Sequence, residues 1–227
     1  MMSPQRNAVG TTDQAKQPRR RDPKGTRERL VRAALELFTT QGYHASTTPQ
    51  VARKAGVAEG TIYRHFASKE QLLNDIYCSS VKLFSDVVQE APKTGSCKDQ
   101  MTKIAERWKE IASEDPALVK LVFVNPPTIL LEDKSRDTFE RLRGELEKVI
   151  ASGKASGEIR PGPAYLWTEV WIQLVSLMLE RVAGEEWAAQ HTAPQQVVES
   201  AWDAIANPNR AAQVRPQRSA AGFSLGR

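Results

Sequence analysis

The sequence predicts an all-α protein: an N-terminal three-helix head containing a helix-turn-helix, followed by a larger helical bundle. Three observations carry this. Apolar residues recur three and four apart through most of residues 24–206, the spacing that places them on one face of a helix. The stretch Thr47–Lys69, TTPQVARKAGVAEGTIYRHFASK, reads as a short helix, a turn at Gly56, a second short helix and the start of a third. Charge also divides the chain: residues 1–75 carry 13 Lys+Arg against 7 Asp+Glu, residues 76–206 carry 15 against 20, and residues 207–227 carry 4 against none.

The 227 residues are 40% hydrophobic and carry a formal charge of +5, which allows an ordinary core in one large or two modest domains. A basic head on an acidic body turns any polyanion toward the head, the electrostatic footprint of a nucleic-acid binder. Taken alone, the same asymmetry is that of solvated charge and basic tails. Cys78 and Cys97 lie far apart without metal-ligand spacing, as free thiols of a reducing cytoplasm do. No apolar stretch is long enough to span a membrane, so a cytoplasmic protein is expected. With three histidines in the chain, no metal and no cofactor are expected.

Residues 1–23 have no periodic apolar pattern and are expected to form a disordered basic arm. Arg19-Arg20-Arg21 within it is either an arm that reaches phosphates or a narrow minor groove or a solubilising tail. A first helix follows, from about Lys24 to Gln41, with Leu30, Ala34, Leu37 and Phe38 on one face and Gly42 at its end. Lys24 and Arg27 stand at its start, where cations oppose the helix dipole but suit contact with DNA phosphates. Val51, Ala52 and Ala55 then give a short helix one buried side, and Gly56 supplies the left-handed residue that ends it. Val57 plugs the corner. Ile62 and Phe66, four apart, share one face of the next helix, which turns Thr61, Tyr63, Arg64 and His65 outward. Two short helices joined by a Gly-bearing turn form a helix-turn-helix, whose second helix enters the major groove. The head is thus expected over residues 24–75.

This stretch resembles the TetR family of bacterial transcriptional regulators. The resemblance runs through Gly42-Tyr43, Ser46-Thr47-Thr48, Val51-Ala52, Ala55-Gly56-Val57, Gly60 to Phe66, and Ser68-Lys69-Glu70-Gln71-Leu72-Leu73, about a quarter of the chain. It implies that Thr61, Arg64 and His65 contact the groove or backbone, and that Tyr63 stacks on sugar or donates to a phosphate. It also implies that Lys69 holds a phosphate, with Thr47 and Thr48 at the start of the preceding helix joining the set. The sequence departs from the family pattern at three places. Ala58 stands where Ser is frequent and removes a hydroxyl cap, a loss of about 1 kcal/mol. Glu59 repels phosphates, though it can accept from a cytosine amine. Pro49 suits a first helical turn capped by Thr47 or Thr48 but brings no charge.

Residues 76–206 are expected to form the body, and 207–227 a disordered basic tail. Ser68 caps a long helix, with Gln71 completing a capping-box pattern, whose apolar face runs from Leu73 to Val87 and joins head to body. Met101, Ile104, Trp108 and Ile111 mark the next helix. Asp115-Pro116 opens a short one that Asn125-Pro126-Pro127 breaks, and Phe139 to Ile150 marks another that stops at Gly153. Ala164 to Val182 is apolar around most of its circumference, so more than one face must be covered. Pro194 to Ala206 carries Val198, Ala201, Trp202 and Ile205 on one face.

The resemblance implies that the last two helices pair with their two-fold mates, making a homodimer, and that the body holds a small-molecule pocket. Met101, Trp108, Phe123, Trp171 and Met178 are its candidate lining residues; taken singly, each is better read as ordinary core. An apolar lining favours a hydrophobic or aromatic effector. No arrangement of nucleophile, base and orienting group has a supporting motif, so an enzyme is not expected. The function expected is a sequence-specific DNA-binding regulator. It acts as a dimeric repressor on a two-fold symmetric double-stranded operator and is released by its effector. The alternatives are a DNA-coating protein without sequence preference and an all-helical adaptor or enzyme without DNA binding.

Overall fold

The computed structural model describes residues 22–187 and 191–209. The expected disorder of the arm, the Arg19-Arg20-Arg21 run and the tail beyond Asn209 lie outside these residues. Among the described residues the regular structure is helical, apart from a single antiparallel bridge between Ile159 and Ala206.

The head is built from α1 (Pro23–Thr40), α2 (Thr48–Lys54) and α3 (Glu59–Ile62). Asp22, outside the expected helix, caps α1 by accepting from Gly25 N–H at 3.0 Å. Thr47 and Gln50 form a reciprocal capping box at α2, with Pro49 in the first turn; the two orphan donors there are thereby satisfied. Gly56 takes φ +66° at the corner, the left-handed conformation that a side chain disfavours. Ala58 offers α3 no side-chain cap, and α3 closes after four residues into a tight turn over Tyr63–His65. Ile62 and Phe66 are both buried, although the helix expected to carry the pair is this short.

Helix α4 (Lys69–Glu90) starts at Ser68, whose hydroxyl accepts from Gln71 N–H. The Gln71 amide reaches back one residue further than a capping box requires, to Ala67 N–H at 2.6 Å. The body continues with α5 (Cys97–Glu114), α6 (Pro116–Val119), a π-helical turn at Lys120–Val124 and a 3-10 turn at Thr128–Leu130. Helices α7 (Asp133–Ala155), α8 (Ala164–Ala183) and α9 (Ala193–Ile205) complete it. Helix α7 passes the expected stop at Gly153. That glycine is helical and buried, and a Cβ there would meet Cys97 Sγ at 2.5 Å, so it permits close packing on α5 while Gly157, φ +72°, makes the turn.

An aromatic cluster forms the centre of the body. Trp108 packs edge-on against Phe84 at 5.5 Å and lies 5.4 Å from Phe123 and 5.8 Å from Trp171. Its indole N–H donates to Phe84 C=O at 3.1 Å, the partner a buried Trp requires. Asn74 of α4 is the polar counterpart of this cluster. Its amide donates to Glu70 C=O and Leu130 C=O, while its oxygen accepts from Glu132 N–H at 2.8 Å and Ser135 Oγ at 2.6 Å. All four of its bonding positions are used in a site 5% exposed. Asn74→Leu leaves Glu132 N–H and Ser135 Oγ without that acceptor and Leu130 C=O without that donor. Each stranded group costs about 1–3 kcal/mol, so a loss of several kcal/mol is expected in urea unfolding followed by circular dichroism.

Candidate nucleic-acid interface

The head presents a polar surface whose geometry follows from its short helices. Because α3 closes after Ile62, Tyr63 and Arg64 sit on a turn and project from the surface, with Tyr63 56% exposed. The Tyr63 hydroxyl bonds Thr48 Oγ1 at 3.0 Å, which ties the end of the recognition segment to the first turn of α2. Thr47 is exposed, and its side chain is engaged in its own helix cap. Thr61 and His65 are half-buried, while Glu59, Gly60 and Arg64 are exposed. Lys24 is exposed in the first turn of α1. Among the described residues, neither Lys24 nor Arg64 has a salt-bridge partner, so their charges are available.

Two of the sequence-predicted cations are engaged within the protein. Arg27 pairs with Asp75 of α4 at 2.9 Å and lies 5.1 Å over the Phe66 ring. Lys69 donates to Tyr43 C=O and stands 4.0 Å over the Tyr43 ring. Burial lowers the Lys69 pKa from its ordinary value. The Tyr43 hydroxyl donates to Glu70 at 2.9 Å; burial first, and that carboxylate second, raise the phenol pKa. Lys54 and Arg32 share Glu36, at 2.8 Å each, and Arg32 also pairs with Asp115 at the corner of α5 and α6. Asp75, Tyr43, Glu36 and Asp115 were absent from the sequence-predicted set. They lie 48, 26 and 83 residues from Arg27, Lys69 and Arg32 in the long-range cases, beyond the reach of helical spacing.

Of the predicted effector residues, Trp108 packs against Phe123 and Trp171, Met101 and Met178 are core residues, and Phe123 alone of the five lines the pocket beside it. Met101, Trp108, Trp171 and Met178 are 0–1% exposed, and Phe123 is half-buried against the same core. Beside Phe123 opens a pocket of about 210 Å³, lined also by Phe139, Ile172 and the Arg143–Glu169 ion pair of 2.7 Å. Among the described residues no group of three His, Cys, Asp or Glu side chains is placed to hold a metal ion, and no helix is long and apolar enough to cross a membrane.

Gly60 opens the Gly60 to Phe66 run of the family resemblance. It lies in α3 without a positive φ, and a Cβ built on it meets nothing within 4 Å. Nothing in the protein requires a glycine there, although glycine in a helix is disfavoured by roughly 1 kcal/mol against alanine. Gly60→Ala is therefore expected to stabilise the free protein by about 0.4–1 kcal/mol, read as a higher urea midpoint at unchanged m-value.

Comparison with known proteins agrees with this geometry. Residues 30–76 match the family model described as bacterial regulatory proteins, tetR family. The fatty acid metabolism regulator protein of Bacillus subtilis (strain 168) is 26% identical over 136 residues, 59% of this chain and 70% of the relative. A crystal structure assigned to the same family from Shewanella sp. PV-4 is 27% identical, with a TM-score of 0.68 over 80% of this chain and 98% of that one. The regulator FadR from Bacillus subtilis, solved in complex with stearoyl-CoA, shares the fold at 21% identity and a TM-score of 0.64, over 78% of this chain and 98% of that one. Residues 30–76 thus form a DNA-binding domain of the tetR family of bacterial regulatory proteins, and the helical body they join shares its fold with solved structures assigned to that family.

Proposed function

We propose that this regulator is a homodimeric repressor that occupies a two-fold symmetric double-stranded operator and leaves it when a small hydrophobic ligand binds the body. The carrying observation is the exposed Tyr63-Arg64 segment, in which Arg64 has no acidic partner among the described residues and Tyr63 is braced by Thr48. In this reading Arg64 meets a guanine edge, the pairing a guanidinium favours. Thr61 and His65 flank it, and Tyr63, Thr47, Thr48 and Lys24 meet the backbone. Arg27 and Lys69 act as positioners that also face phosphate. An ammonium has three donors, and Lys69 spends one on Tyr43 C=O. The Arg27–Asp75 pair is about half exposed, so solvent weakens it and a phosphate competes with Asp75.

Ligand release needs a body that changes shape. Phe123 borders both the aromatic cluster and the pocket of about 210 Å³, and it sits on the π-helical turn. Moving this one ring opens the pocket toward Trp108 and Trp171. An acyl chain is the ligand class we favour, a reading supported by the neighbour solved with stearoyl-CoA. The coupling required between ligand and DNA is about 1–3 kcal/mol. Dimerisation is assigned to α8 and α9. Leu166 and Leu177 are 41% and 40% exposed, and with Val170 and Leu174 they repeat on one side of α8, opposite the side buried in the core. The setting is the cytoplasm, and no catalytic step is assigned to the protein.

Three experiments check this reading. Short fragments of the source genome selected on the purified protein at near-physiological salt are expected to share a two-fold motif, with half-sites about one or two helical turns apart. Arg64→Ala is expected to weaken binding to the recovered fragment by about 1–3 kcal/mol. Fragments with no shared motif, or an unaffected Arg64→Ala, would overturn the assignment. Leu177→Glu places a charge on the exposed side of α8 and is expected to sediment as a monomer with helical content retained. A dimer that survives the substitution places the interface elsewhere.

A further inference from the structure

A second cavity lies apart from the aromatic core, at the junction of head and body. It has a volume of about 230 Å³. Phe38, at the end of α1, and Tyr43, just beyond it, form one wall. Leu73 of α4, Lys120 and Leu121 of the π-helical turn, and Asn125 form the other. The volume exceeds the roughly 150 Å³ that holds a benzene ring and falls below the roughly 300 Å³ at which drug-sized sites begin. It therefore admits a single ring or a short chain.

The lining selects the ligand's charge. Lys120 is the sole charged residue among those that line the cavity, and no carboxylate lies within ion-pair distance of it among the described residues. The Asn125 side chain, likewise without a hydrogen bond there, lines the same cavity. Asn125 N–H donates to Lys120 C=O at 2.8 Å, the bond that closes the π-helical turn, so the turn itself holds these two residues together. Such turns recur at functional sites in helices. One ammonium balances one negative charge; a doubly charged phosphate would leave the other charge unpaired.

We propose that this junction cavity binds a compact amphipathic monocarboxylate, its apolar part between Phe38, Tyr43, Leu73 and Leu121 and its carboxylate on Lys120. Because the walls belong to head and body alike, the occupant bridges them and fixes the seating of α1 on the π-helical turn. This is a control point separate from the aromatic core, and its binding step does not depend on the DNA-binding assignment.

The test is calorimetric titration of the full-length protein with sodium benzoate, without DNA, and with neutral benzamide as comparator. Saturable binding of one benzoate per chain is expected, with benzamide about tenfold weaker or worse, the factor that a charge-assisted hydrogen bond represents. Lys120→Met is expected to lose benzoate affinity by at least about tenfold, and Lys120→Arg to keep most of it. In the unaltered protein, benzoate is expected to shift the amide resonances of Tyr43 and Leu121, a readout that does not depend on how the variants fold. No saturable binding, equal binding of benzamide, full affinity in Lys120→Met, or resonance shifts confined to the aromatic core would each overturn the proposal.

Discussion

Much of the structure rests on the way Asn74 is held. It lies one turn into α4, just past the head, and bonds simultaneously to α4, to the Leu130–Glu132 segment and to the first turn of α7. A buried amide with every position filled cannot exchange partners without stranding one, so the start of α7 cannot slide along α4. Eleven residues further on, about 17 Å along a helix, Glu145 of α7 accepts from Ser85 at 2.5 Å and Gln89 at 2.7 Å. Two polar clamps on one helix pair make α4 and α7 a single rigid unit. A change within the body then has its easier route to the head where α1 meets α6 and the π-helical turn. The contacts there are the Arg32–Asp115 pair and the junction cavity. The second oxygen of Asp115 is buried without a hydrogen-bond partner among the described residues, which makes that corner less firmly held than the Asn74 site.

The head's formal charge overstates the field it presents. Arg27, Arg32 and Lys54 each face a carboxylate, and partly exposed pairs of this kind are worth little individually. Their effect is to hold cations in place without locking them. An anion arriving at the surface has only such a weak bond to compete with. Lys69 is held differently, by a carbonyl and a ring in place of a carboxylate, so its positive charge is kept while its position is fixed.

The fold was legible because helix periodicity and caps are local. Leu30 to Phe38, Gly56 and the two-faced α8 are each readable within about ten residues, and the structure has them where the pattern puts them; of the two threonines offered as cap for α2, it uses Thr47. The candidate interface was legible as a set of side chains but not as an arrangement. Whether Arg27 is free depends on Asp75, and where Lys69 points depends on Tyr43; such pairings between distant segments leave no periodic trace. The length of α3 was also not readable, because the Tyr63–His65 turn continues the helical hydrogen bonding from Ile62 C=O to Phe66 N–H and keeps the apolar spacing of a longer helix. Glycine usually ends helices, which makes Gly153 look like a terminator in sequence; its packing against Cys97 is visible only once α5 and α7 are together.

The π-helical turn at Lys120–Val124 bears on how such a chain can change over evolutionary time. A turn of this kind is an α-helix with one residue too many, and a single-codon deletion within it would return the segment to ordinary helix. Each residue beyond would then rotate by about a third of a circle relative to those before it, given 3.6 residues per turn. Phe123 would leave its place against Trp108, and Asn125 would leave its place beside Lys120. Both cavities share this segment as a wall. One insertion or deletion at this point would therefore reshape both cavities at once while the helix-turn-helix kept its sequence, a short path by which the body of a duplicated regulator can diverge before its reading head does.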